Sequence, residues 1–177
     1  HRMYLDIRGQ FGDTDSSNPG SEIIKSIALE IGGQQIDKHS GVWMEAWAEL
    51  TEPNSSGTVA NQRVNTGSGS AAKNDGGTLF QNMAGMGGVV GADVDSLDVF
   101  VPLQFWFCRN PGLALPLIAL QYHEVKVILD HTIDTEWDQT PTQKLWADYI
   151  YLDTDERRRF AQVSHEYLIE QVQEQNV

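Results

Sequence analysis

The chain has 177 residues, 40% of them hydrophobic, enough for one domain to bury a real core without disulfide staples. Acids outnumber bases 25 to 12, and a formal net charge of −13 argues against a domain built to neutralise nucleic-acid phosphates. The single cysteine, Cys108, excludes an intrachain disulfide framework and a cysteine metal cluster, and no apolar run is long enough to span a bilayer as a helix.

Met3–Ile7 alternates, with Met3, Leu5 and Ile7 on one face and Tyr4 and Asp6 on the other, so it reads as a strand. The sequence opens on this strand at once, which reads as a fragment whose preceding strand is missing. Gln10–Ser21 is rich in Gly, Asp, Ser, Asn and Pro and reads as an exposed loop. Ile23–Ile31 is a second strand, with Ile23, Ile27, Leu29 and Ile31 facing the core and Lys25 on the same side. Gly32-Gly33 then signals a two-residue hairpin, and Gln34-Gln35-Ile36 resumes the pairing.

Asp37 or Ser40 can cap a helix in which Trp43, Trp47 and Leu50 form the core-facing stripe, with Glu45 and Glu49 on another face. Pro53 ends it. Pro53–Gly91 is irregular, with a linker-like Gly67-Ser68-Gly69-Ser70 run, and reads either as an excursion that contacts a neighbouring subunit or as a solvent loop. Val99–Phe107 is apolar on both faces apart from Gln104. It reads as a strand covered on both sides, with Trp106 between sheets. Asn110-Pro111-Gly112 is turn chemistry, and Pro116 limits any helix in Leu113–Leu120 to about a turn.

Tyr122–Leu129 alternates, with His123, Val125, Val127 and Leu129 on one face. Asp130–Gln143 is polar, Leu145–Leu152 is a further strand, Asp153–Arg159 a charged turn, and Tyr167–Val172 a last strand-like piece. Several strands, one clear helix and no βα alternation favour an antiparallel sandwich over a parallel sheet.

Chemistry-bearing patterns are sparse. His123-Glu124 and His165-Glu166 do not extend to H-E-x-x-H, and on a strand a His and the Glu after it point to opposite faces. Asp93, Asp95 and Asp98 lack the glycine and terminal Glu of a calcium loop. Asp153, Asp155 and Glu156 before Arg157, Arg158 and Arg159 read as local ion pairing, or more sharply as an intersubunit contact. Asn54-Ser55-Ser56 fits a glycosylation acceptor by pattern alone, and Cys108 reads as inert packing. No Walker A, G-x-S-x-G or placed G-x-G-x-x-G is present. The reading contains no catalytic, cofactor or metal residue.

Three long strings carry a family likeness: Ile24–Leu50, Pro102–Val127 and Leu145–Gln173 closely resemble the major capsid proteins of the nucleocytoplasmic large DNA viruses. The resemblance implies a double jelly roll. Residues 1–172 would be the first jelly roll, lacking its first strand, and 173–177 the start of the connection to a second one. It implies a structural, non-enzymatic subunit without cofactors. Such subunits form homotrimeric capsomers of pseudo-hexagonal outline that tile an icosahedral virion over an internal membrane. They contact neighbouring capsomers and minor capsid proteins but no nucleic acid, and are assembled in the host cytoplasm. Two other readings stand beside it. One is a carbohydrate-binding jelly roll using Trp43, Trp47 and Trp137. The other is a cupin-like enzyme using His123, His131 and His165.

Overall fold

A computed structural model describes residues 1–9, 18–53, 78–89, 97–132 and 142–175. The Gly67–Ser70 run, Asn54-Ser55-Ser56, Asp93, Asp95 and Trp137 lie outside the described residues, as does most of Pro53–Gly91.

Among the described residues six strands form two three-stranded antiparallel sheets. The first sheet holds β1 (Met3–Gly9) between β4 (Leu97–Pro102) and β6 (Thr142–Ala147). The second holds β2 (Ile24–Ile31) between β3 (Gln34–Ser40) and β5 (Val125–His131). Apart from the β2–β3 hairpin, each successive strand changes sheet, which is how a jelly-roll sandwich is wound.

The alternation in β1 is as the sequence predicts: Leu5 and Ile7 are buried against the facing sheet and Met3 is half-buried. Gly32 and Gly33 close the hairpin with φ of 60° and 83°, a pair of left-handed residues whose twist suits the flanking strands. Two register shifts bend β2's pairings. Against β5 the extra residue is Lys25, which turns outward instead of sharing the core side with Ile27. Against β3 the extra residue is Ile36.

Several expected elements are redrawn. Gln10–Ser21 ends not as open loop but in a short helix α1 (Pro19–Glu22), with Pro19, Gly20 and Ser21 buried. Helix α2 (Gly41–Thr51) is capped by Ser40, whose side chain accepts from the Trp43 N–H, while Asp37 stays in β3. Its core-facing stripe is Gly41, Met44 and Ala48, not Trp43, Trp47 and Leu50; Leu50 is 86% exposed. Small residues win that face because the helix lies hard against backbone. A Cβ on Gly41 would sit 2.1 Å from the Ser21 carbonyl oxygen and 2.3 Å from that of Ile24.

A further helix, α3 (Leu79–Ala84), has a full capping box from Thr78 and Gln81. The apolar run from Val99 does not continue as strand to Phe107. Pro102 ends β4, Leu103 N–H still donates to Met3 O at 3.0 Å, and Trp106–Arg109 forms a short helix, α4. Trp106 is nonetheless 3% exposed. Strand β6 sits earlier than Leu145–Leu152. The charged stretch after it is a helix, α5 (Thr154–Gln162), capped by Asp153, and 163–175 runs back without joining a sheet.

The core fills the space between the sheets from one half of the chain. Its fully buried apolar members all lie between Leu5 and Phe107.

Candidate assembly surface

Three buried polar centres set the shape of the surface. The first lies in β3. Asp37 and His39, two residues apart on one face, are both buried with no exposed side-chain area, and His39 Nε2 lies 2.9 Å from Asp37 Oδ2. Asp37 Oδ1 also accepts from the N–H of Lys38 at 2.9 Å and of Val172 at 3.0 Å. Burial by itself would raise this carboxyl. The His39 hydrogen bond and the two backbone donors outweigh it and hold Asp37 below its ordinary value. His39 Nδ1 has no partner. A neutral ring donating from Nε2 leaves only an acceptor unpaired there, which costs less than a stranded N–H in an apolar stack.

His39 continues into an aromatic column. Its ring lies 4.1 Å from Trp43 and 4.7 Å from Phe105; Trp43 stacks on Trp47 at 5.4 Å, and Phe105 on Phe107 at 5.7 Å. Arg109 covers the outer end, its guanidinium 4.2 Å from the Trp47 ring centroid, and pairs with Glu170 at 2.8 Å. The ring faces of Trp43 and Trp47 are therefore occupied by His39, by each other and by Arg109.

The second centre is Asp6, 1% exposed on the outer side of β1. Arg8 Nε donates to Oδ1 at 2.9 Å and Trp146 Nε1 to Oδ2 at 3.1 Å. The Arg8 hydrogen bond, with help from Trp146, lowers its pKa against the opposing effect of burial. The third is Glu45, whose Oε1 accepts from Gly87 and Gly88 at 2.8 and 3.1 Å, while Asn18 Oδ1 takes Gly88 and Val89. Burial raises Glu45. Together these anchors pin 85–89 onto α2.

The residues suggested for metal chemistry are scattered. His123 is exposed beside the Gly32 turn, Glu124 pairs with Lys126 at 3.0 Å, His131 meets Gln143 at 3.2 Å, and His165 meets the Phe160 carbonyl at 2.7 Å. Among the described residues no three His, Cys, Asp or Glu side chains gather where they could hold an ion. Asp98 lies in β4 opposite Arg8 in register. Arg157, Arg158 and Arg159 are exposed on α5, with Arg158 3.9 Å from Asp155. Burial pushes the Cys108 thiol up to about 11, so it is held as the unreactive thiol. No helix among the described residues is long and apolar enough to cross a membrane.

What the molecule does present is outward apolar surface. Trp146, Ile150, Tyr149 and Tyr151 are 55, 57, 64 and 92% exposed. They flank a hollow of about 990 Å³ between the β5 and β6 sides of the sandwich, lined by Met3, Val125, Val127, Leu145, Ile150 and Phe160. The sequence places these side chains in a strand, Trp146 and Ile150 on one face and Tyr149 and Tyr151 on the other; their exposure is a finding of the structure.

The described residues form a jelly-roll type of sandwich with exposed apolar surface along its later strands. The chain belongs to the family described as major capsid protein N-terminus, whose profile matches residues 5–153. It is 48% identical over 185 residues to the major capsid protein of Pyramimonas orientalis virus, covering 98% of this chain and 42% of that protein. It is 39% identical over 168 residues to the major capsid protein of Paramecium bursaria Chlorella virus 1, covering 88% of this chain and 33% of that one. Among solved structures, VP54 of the Chlorella virus PBCV-1, a crystal structure fitted into a reconstruction of the virophage Sputnik, superposes with a TM-score of 0.66. The two are 35% identical, over 97% of this chain and 40% of that one. The chain thus spans less than half the length of these relatives.

Proposed function

We propose that this chain is the first jelly-roll region of a major capsid protein and acts as a structural part of a large DNA virus's icosahedral shell, without catalysis or cofactor. Residues 1–172 belong to that jelly roll, and 173–177 lead toward a second. The observation that carries the reading is the family profile over 5–153. A shell protein needs surface that is satisfied only by neighbours, and it needs no acid, base or nucleophile. Its partners are two further copies in a trimeric capsomer of pseudo-hexagonal outline, adjoining capsomers and minor capsid proteins, above an internal membrane that it does not enter. Its place is the virion, assembled in the host cytoplasm.

Native mass measurement of the full-length protein tests this. Stable trimers are expected; a strictly monomeric full-length protein at micromolar concentration overturns it. A substitution in the outward surface, Tyr149→Ser with Tyr151→Ser, is expected to weaken assembly while leaving the thermal midpoint of the isolated chain unchanged.

A further inference from the structure

Glu45 sits in its corner of α2 in a way that suits one protonation state. Its Oε1 takes the N–H of Gly87 at 2.8 Å and shares that of Gly88, at 3.1 Å, with Asn18 Oδ1. Gly87 and Gly88, at φ of 81° and 85°, turn these successive N–H groups toward one oxygen. Oε2 is buried and has no hydrogen-bond partner among the described residues. In a carboxylate that oxygen carries negative charge with no donor, which is costly in a buried corner. In a carboxylic acid it carries a proton and needs only an acceptor. Ser21 of α1 lies against the carboxyl. Its own hydroxyl proton goes to the Asn18 carbonyl at 2.9 Å, so the Ser21 oxygen is left to accept.

We propose that Glu45 is a proton-operated clasp: protonated, it donates from Oε2 to Ser21 Oγ while Oε1 holds Gly87 and Gly88, so one side chain ties α2 to both α1 and 85–89; ionised, it lets go of Ser21. The charge that bears on Glu45 is that of Glu49, one turn along α2, and it opposes ionisation. Among the described residues the elements packed on α2 bring Glu22 on α1, Lys25 and Glu30 on β2, and Asp37, Lys38 and His39 on β3, where Asp37 and His39 are taken up with each other. Neither α3 nor 85–89 carries an ionisable side chain. Burial, reinforced by Glu49, raises the carboxyl above its ordinary 4.5 against the pull of the backbone donors. The folded chain therefore holds this proton more tightly than the unfolded one. Its stabilisation is full below pH 4.5 and lost as pH rises through the higher folded value. The clasp thus tightens in weak acid, the opposite sense to Asp6 and Asp37.

Carbon-13 NMR of the Glu45 carboxyl follows the proton directly, and in the unsubstituted chain it should titrate above 4.5. Ser21→Ala gives the deciding sign. Loss of an acceptor for the acid's O–H moves the titration down, whereas loss of a donor to the carboxylate would move it up. Glu45→Gln keeps a carbonyl oxygen for Gly87 and Gly88 and an N–H for Ser21 at any pH. At about pH 8 its Gly87 amide is expected to exchange about fivefold more slowly than in the unsubstituted chain, the worth of about one hydrogen bond. In weak acid the two should agree. Amides of Ile27 and Leu29 in β2 should keep the same protection in every variant. A Glu45 titration at or below 4.5 overturns the proposal, as does a Ser21→Ala titration that stays in place or moves up. So does a Gly87 amide in Glu45→Gln that exchanges, at the alkaline pH, as fast as the unsubstituted one or faster.

Discussion

The two halves of this chain use apolar residues in opposite ways. From Leu5 to Phe107 most go inward: Ile7, Ile27, Leu29, Val99, Val101 and Phe105 are all fully buried, with Val42, Leu50 and Leu79 as exposed exceptions. From Leu117 onward they go outward or half-way, with Tyr122 at 87%, Trp146 at 55% and Tyr151 at 92% exposed. Strand β5 still alternates, but its inward residues Val125, Val127 and Leu129 are only half-buried, and β6 is exposed along its whole length. One half supplies the buried core, and the other leaves much of its apolar surface exposed. The contrast separates stability from assembly, and it can be attacked from both sides.

The largest effect is expected inside the first half. Trp106→Ala removes a ring that is 3% exposed and meets Phe107 edge-on at 5.1 Å; a loss of about 3–5 kcal/mol in denaturant unfolding should follow. An unchanged midpoint would show that Trp106 is not part of the core. Next comes Gly41→Ala, which drives a methyl into the Ser21 and Ile24 carbonyls and should cost about 1–3 kcal/mol, with α2 tilting away from β2. Asp6→Ala removes the acceptor shared by the Trp146 indole N–H and Arg8, a loss of about 0.5–1.5 kcal/mol.

Acid gives a related test. Asp6 and Asp37 both titrate below their ordinary 3.8 in the fold, so each is bound more weakly by protons there than in the unfolded chain. Their stabilisation is full above pH 3.8 and lost as pH falls through the lower folded values, so unfolding should steepen below pH 3.8. Asp6→Asn should flatten that limb. The smallest effect belongs to the second half: Tyr151→Ser, at a 92% exposed site, should change the stability of the isolated chain by less than about 0.5 kcal/mol. A larger loss would mean that the outward surface also holds the fold.

Much of the first half was legible from residues alone. Alternation in Met3–Ile7 and the Gly32-Gly33 hairpin are local signals, and the structure follows them. The antiparallel pairing and Ser40, one of two caps the residues offer, also agree. Helix α2 was found but rotated, because indole size suggested the core while contact distance decided it: only Gly41, Met44 and Ala48 fit under the helix. Val99–Phe107 looked like one strand because apolarity carries no mark of where pairing stops; Pro102 was the mark.

Helix α5 was read as a turn for want of an apolar stripe. Its capping logic was present all the same, with Asp153 before the helix, acids in the first turn and Arg159 in the last. The Asp37–His39–Val172 junction was beyond reach, since it joins residues 135 positions apart. Likewise nothing in the string LWADYIYL tells an inward tyrosine from an outward one.

The paired indoles of α2 have an optical consequence. Two such chromophores stacked with centroids 5.4 Å apart, and a guanidinium resting 4.2 Å above one of them, couple electronically and fix each other's angle. That corner of the molecule should give a strong circular-dichroism couplet and an emission sensitive to Arg109. Shell formation can then be followed by light at the α2–α4 corner, with no dye attached to the surfaces that meet.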